Sequence, residues 1–265
     1  MSSSSRIAAM LACVQASPEA VARHDRDTWL GLFSEDAEVH DPVGARPHLG
    51  PEAIARFYDT FIAPNDVAFE VDHEGVCKDL VWRDVTIHTR MATGLALSVP
   101  AHLRYQLTTT ADGALRIHRL YAHWELASMV RQSLSQGWLG VRTYAGLTRH
   151  MLAQQGMAGA VGFARGFGGI GAHGRRRAEM LLRALRNHER AVATAQLAPE
   201  PRFEVDGVPL ADLDALFAQA SGLQWHKVMA AGTQVTASIR SDAGHGLALF
   251  DFDRQGRIAA LQWCF

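Results

Sequence analysis

The sequence has no surplus of either charge, few cysteines and no long apolar run. Lys and Arg number 26 against 27 Asp and Glu, a net charge of −1. That excludes the basic footprint of a nucleic-acid-binding protein. The three cysteines, Cys13, Cys77 and Cys264, are widely spaced and odd in number. Their spacing carries no metal or redox motif and suits a reducing compartment. The 13 histidines form no H-E-x-x-H or similar cluster, so no metal is expected, and no cofactor motif stands out. The opening "MSSSSRIAAMLACVQAS" has a short apolar stretch without a convincing charged leader. It reads as a ragged start followed by a helix, not as a secretory signal. No integral membrane span and a cytoplasmic location are the expectation.

What is present is enough apolar material for a large core. Hydrophobic residues make up 48% of 265, room for one large domain or two small ones. Residues 6 to 33 carry helical spacing, interrupted near "SPEAVARHDRD". Ser17, Pro18 and Glu19 read there as an N-cap, a first-turn proline and a first-turn acid. "DTWLGLF" is a second short helix and "AEVHD" a strand. Pro51 opens a third helix, "PEAIARFYDTFI". The period then changes to two. "VAFEVDHEGVCKD", "LVWRDVTIHTRMA", "LALSVPAHLRYQLTTT" and "LRIHRLYAHWEL" read as strands, with "ATG" and "ADGA" as turns. This order predicts an α+β domain, a curved antiparallel sheet with helices on one face.

Residues 127 to 178 hold many of the glycines and read as a helical, Gly-rich connector. Basic residues flanking the apolar run leave a membrane-surface segment as the other reading. Gly169, Gly171 and Gly174 formally spell G-x-G-x-x-G, but no strand precedes them, so a dinucleotide site is rejected. The last third echoes the first. "LALFDFDRQGRIAALQWCF" follows "LRYQLTTTADGALRIHRLYAHWEL", and Ile258 to Phe265 repeats the step Ile117 to Trp124. A tandem duplication is expected: two cone-like domains, 1–126 and 179–265, the second shortened and degenerate.

"LFSEDAEVHDPVGARPHLGPEAIARFYDTF", with "AHLRYQL" and "LYAHWEL", resembles the ketosteroid isomerases of the nuclear-transport-factor-2-like and SnoaL-like superfamily. The likeness covers roughly residues 18 to 126. It implies an isomerase or cyclase that works without cofactor on an apolar, steroid- or polyketide-like carbonyl compound. In that family the aspartate of D-P-x-G is the general base, aided by a tyrosine and a protonated aspartic acid that stabilise the enolate oxygen. Asp41 matches the base. Tyr58 matches a supporting tyrosine, Phe33 replaces a second one, and Trp124 matches the tryptophan beside the base. The donor tyrosine should fall near Ser17 and the donor acid near Ala101, and neither is present.

The residues themselves also describe a pocket. Alternation puts Leu97, Val99, Ala101, Leu103 and Tyr105 on one face, and Leu120, Ala122 and Trp124 on one face of the next strand. If Val39 faces inward with them, so does Asp41. A carboxylate among such neighbours is desolvated, which raises its pKa and makes it a better base. His88 and Arg90 are candidate replacement donors, and hairpin register decides their direction. One register turns both into the pocket; a one-residue slip turns Val85, Ile87 and Met91 inward instead. In the second copy Val205 takes the place of Asp41, and Asp206 belongs to the turn. A small hydrophobic ligand is the expected partner, handled catalytically or merely bound. The two copies are expected to pack as an internal pseudo-dimer, with at most weak self-association.

Overall fold

The computed structural model describes residues 3–265, and at 144, 150, 151, 153–155, 158 and 160 it describes the backbone alone. Two α+β halves follow one plan. The first comprises α1 (Ser3–Ala22), α2 (Arg26–Gly31), β1 (Phe33–His40), β2 (His48–Leu49), α3 (Gly50–Phe57), β3 (Asn65–Cys77), β4 (Leu80–Met91), β5 (Ala96–Thr109) and β6 (Leu115–His123). Helices α4 (Leu126–Leu134) and α5 (Trp138–Ala164) follow, α5 with a kink at Gly156. The second half has α6 (Gly171–Arg186), α7 (Arg190–Thr194), β7 (Leu197–Val205), β8 (Val208–Leu210) and α8 (Leu213–Ala218). Strands β9 (Gln224–Ala231), β10 (Gln234–Ser241), β11 (Gly244–Phe252) and β12 (Ile258–Cys264) complete it.

The sheets have the same topology. The first runs β2-β1-β6-β5-β4-β3 and the second β8-β7-β12-β11-β10-β9, with β1–β6 and β7–β12 each the one parallel pair of its sheet. Register extends the likeness to single positions. Val39 pairs with Leu120 and Phe203 with Leu261, so Asp41 and Val205, two residues on, hold the same place. Tyr105 also pairs with Leu120, and Phe250 with Leu261. Phe250 and Trp263, both fully buried, stand where the first copy has Tyr105 and Ala122. Asp206 is a turn residue at φ 50°, and its carboxylate accepts from the Phe265 N–H at 2.8 Å.

Helix α1 departs from the sequence reading. It runs unbroken through Pro18, so Ser17 is an interior residue and not an N-cap. An interior proline costs a helix about 3 kcal/mol or more. Burial of Met10, Val14, Ser17, Ala20 and Val21 against the sheet offsets that cost. Pro51 does open α3, as a proline at the first helical turn should.

The halves meet through the outer faces of their sheets, along a seam that is buried and polar. His102, with no exposed surface, touches Thr236 Oγ1 at 2.8 Å and Ser238 Oγ at 2.9 Å. Burial, ahead of the Lys227 and His226 charges, holds its pKa well below the usual imidazole value, so it is neutral. Lys227 donates to Asp84 at 2.5 Å, to Asp72 at 3.1 Å and to the Val85 carbonyl at 2.8 Å. His123 meets Gln234 at 2.9 Å. Glu125 accepts from Arg175 at 2.7 Å and from the Ala230 N–H at 3.2 Å. At one end the backbones touch. A Cβ on Gly44 would lie 2.5 Å from Gly232 Cα, and both residues have positive φ, so glycine is required at each.

Candidate active site

Between the inner face of the first sheet and its helices lies a cavity of about 160 Å³. Most of its wall is apolar, from Phe57, Phe61, Val67, Phe69, Ile87 and neighbours. Helices α4 and α5 close it through Met129, Leu147 and Phe163. The segment expected to be a connector is therefore also the roof of the first core. Among the described residues no helix is long and apolar enough to cross a membrane.

Asp41 opens onto this cavity from the end of β1. Its loop is pinned by the Val43 N–H, which donates to the Ala122 carbonyl at 2.9 Å. Trp124 Nε1 donates to Asp41 Oδ1 at 2.6 Å. Desolvation pushes the carboxyl up to about 6, against the opposing pull of the Trp124 hydrogen bond. The group is thus poised to take or give a proton near neutral pH.

Four other expected residues share the lining: Val99, Leu103, Leu120 and Trp124. Five do not. Ala101 faces inward but is completely buried, opposite Val85, and its methyl stops short of the lining. Phe33 packs on Trp29 at 4.6 Å. Tyr58 is buried behind Trp29, ring centroids 5.3 Å apart, and its hydroxyl has no hydrogen-bond partner among the described residues. His88 and Arg90 point out of the cone. His88 bonds Glu70 and Ser98 at 3.0 Å each, and Arg90 is exposed. The cause is register: Ile87 pairs with Val99 and His88 with Ser98, so the odd-numbered residues of β4 face in.

Three hydroxyl-bearing residues of the cavity, Tyr105, Ser17 and Thr89, were not predicted from sequence as site residues. Tyr105 stands in the row of Val39 and Leu120, one inward-facing row from Asp41. Desolvation pushes its phenol up to about 12, partly offset by the Arg83 charge, and Asp41 raises it further. It stays protonated at neutral pH and is a hydrogen-bond donor. Ser17 is beside it, with Oγ accepting from Trp29 Nε1 at 3.1 Å. Arg83 is buried inside the cone, held by Glu74 and Gln15 at 2.9 Å each. Alternation had put Tyr105 on the inward face; only its hydroxyl went unused.

Residues 14–120 match the family model of the SnoaL-like domain. Solved structures similar to part of this chain include a Mycobacterium sp. Δ5-3-ketosteroid isomerase. It is 26% identical, with a TM-score of 0.41, over 45% of this chain and 95% of that one. A Mycobacterium tuberculosis protein in complex with estradiol-17beta-hemisuccinate is 26% identical, with a TM-score of 0.40, over 45% and 95%. A putative polyketide cyclase from Xanthomonas campestris pv. campestris is 20% identical, with a TM-score of 0.41, over 46% and 95%.

Proposed function

We propose that the first half is a cofactor-independent isomerase or cyclase acting on a small apolar carbonyl compound, with Asp41 as general base. The observation that carries this reading is a carboxylate raised to about 6 on the wall of an apolar cavity. A plain binding pocket for a hydrophobic ligand gains nothing from such a group, because burying a charge costs free energy. Asp41 takes a proton from the carbon next to the carbonyl and returns it to another carbon. Between the two steps the negative charge rests on the substrate oxygen. Tyr105 donates a hydrogen bond to that oxygen, with Ser17 at hand in the same wall. Trp124 holds Asp41 in place.

A β,γ-unsaturated cyclic ketone such as 3-cyclohexenone tests this directly. Its conversion to the conjugated enone raises the ultraviolet absorbance, and in D2O deuterium enters at the exchanged carbons. We expect both signals. Tyr105→Phe keeps the ring and should slow the reaction by about 10–10²-fold in kcat, somewhat under the usual loss for one donor because Ser17 remains. A ketone that binds without isomerisation or deuterium uptake would replace the enzyme reading with that of a hydrophobic-ligand carrier.

A further inference from the structure

The seam between the sheets opens a second cavity, of about 420 Å³, remote from Asp41. Two cysteines far apart in sequence line it together. Cys77 ends β3 and Cys264 ends β12. Both are free and buried, 6% and 8% exposed, and they pack with Trp82 and Leu247 in a small cluster joining the two halves. Both thiols belong to this one cluster and face the same cavity. Arg104 and Lys78 line the same cavity. Arg104 forms no salt bridge among the described residues; its guanidinium stacks over Tyr121, 5.5 Å from the ring centroid.

We infer that Cys77 and Cys264 are a dithiol site at which a hydroperoxide forms a disulfide bridging the two sheets. The cavity gives a small oxidant access to sulfurs that are otherwise buried. The Cys264 side chain draws the Cys77 thiol below its usual pKa, while the Cys77 side chain and burial push Cys264 up. Cys77 therefore ionises first and is the attacking sulfur. Its thiolate attacks one oxygen of the hydroperoxide, the O–O bond breaks, and an alcohol leaves after protonation. Cys77 is then a sulfenic acid. The Cys264 sulfur attacks that sulfur, the S–O bond breaks, and hydroxide departs with the Cys264 proton as water. Two thiols are oxidised and one hydroperoxide is reduced. Cys13 supplies an internal control. It is half-buried, its thiol is bonded to the Leu115 carbonyl at 3.6 Å, and burial raises its pKa.

The test treats the reduced full-length protein with hydrogen peroxide, blocks remaining thiols with iodoacetamide, and maps peptides by mass spectrometry. The expected product is an intramolecular Cys77–Cys264 linked peptide, with Cys13 alkylated and the link reversed by dithiothreitol. Because the bridge closes a long loop, the oxidised form should melt about 5–10 °C higher than the reduced form. Cys13→Ser should leave the link intact, and Cys264→Ser should abolish it and leave Cys77 oxidised beyond the thiol. Three alkylated cysteines after peroxide treatment, or links only between molecules, would overturn the inference.

Discussion

Asp41→Asn is expected to lower turnover by about 10²–10⁴-fold, the scale of a general base, with ligand affinity retained. The amide oxygen can still accept from Trp124, so the shape of the wall is kept. In the unmodified protein kcat/KM should rise with pH through a midpoint at about 6, where Asp41 ionises, and level off above it. The variant should show no such limb. Stability moves in the opposite direction. An acid whose folded pKa lies above its unfolded value binds its proton more tightly in the folded state. Its contribution is complete below about pH 4, declines as pH rises towards 6, and is gone above that. The introduced amide bears no charge at any pH. At about pH 7.5 the variant should therefore be more stable than the parent by about 1–3 kcal/mol, with the two converging near about pH 4. Urea titrations at both pH values measure this. Undiminished turnover in the variant would remove Asp41 from the mechanism.

Lys227→Met is expected to destabilise the protein by about 3–5 kcal/mol, although Lys227 does not line the cavity. Its ammonium faces Asp84, a carboxylate with 2% exposure on the outer face of the first sheet. Asp84 also accepts from Ser238 at 2.5 Å, and His102 is 3.7 Å away but neutral. Without Lys227 the permanent cation beside that buried charge is gone, and among the described residues only neutral His102 and the largely exposed His226, each 3.7 Å away, remain next to it. Asp84→Asn in the Lys227→Met background should recover most of the loss, since the penalty comes from the stranded charge and not from a missing attraction. Denaturant midpoints of the two single variants and the double variant close the cycle. A Lys227→Met cost below about 1 kcal/mol would mean that water reaches Asp84.

Much of this architecture could be read from alternation alone. The long strands of the first half, the inward face of β5 and β6, and the shared place of Asp41 and Val205 follow from a period of two, whereas β9 and β10 of the second half went unread. His88 and Arg90 show where that reading stops. A period of two assigns residues to faces but not faces to the core; the hairpin does that. Here Met91 and Leu95 close a three-residue connection in which Gly94 adopts φ +87°. A two-residue turn would have shifted every partner by one. Ser17 was misread for a different reason. Ser-Pro-Glu is a helix-start signal by local chemistry, and tertiary burial overruled it. The roof was illegible because Met129, Leu147 and Phe163 belong to helices whose burying partner, Phe61, stands far earlier in the chain. Phe61 and Phe163 stack at 5.5 Å. Low charge and many glycines describe that segment's composition and say nothing of what it covers.

The contact of Gly44 with Gly232 ties the fate of the two copies together. Gly44 belongs to the loop that sets Asp41 in the wall, and Gly232 belongs to the hairpin between β9 and β10 of the second half, which has Val205 in the place of Asp41. Neither glycine can gain a methyl group without moving the other's backbone. The second half consequently acts as a jig for the loop that carries Asp41. Drift within it is free only so far as that hairpin keeps its seat, and a lineage that discarded the second copy would have to re-seat the Asp41 loop by other means.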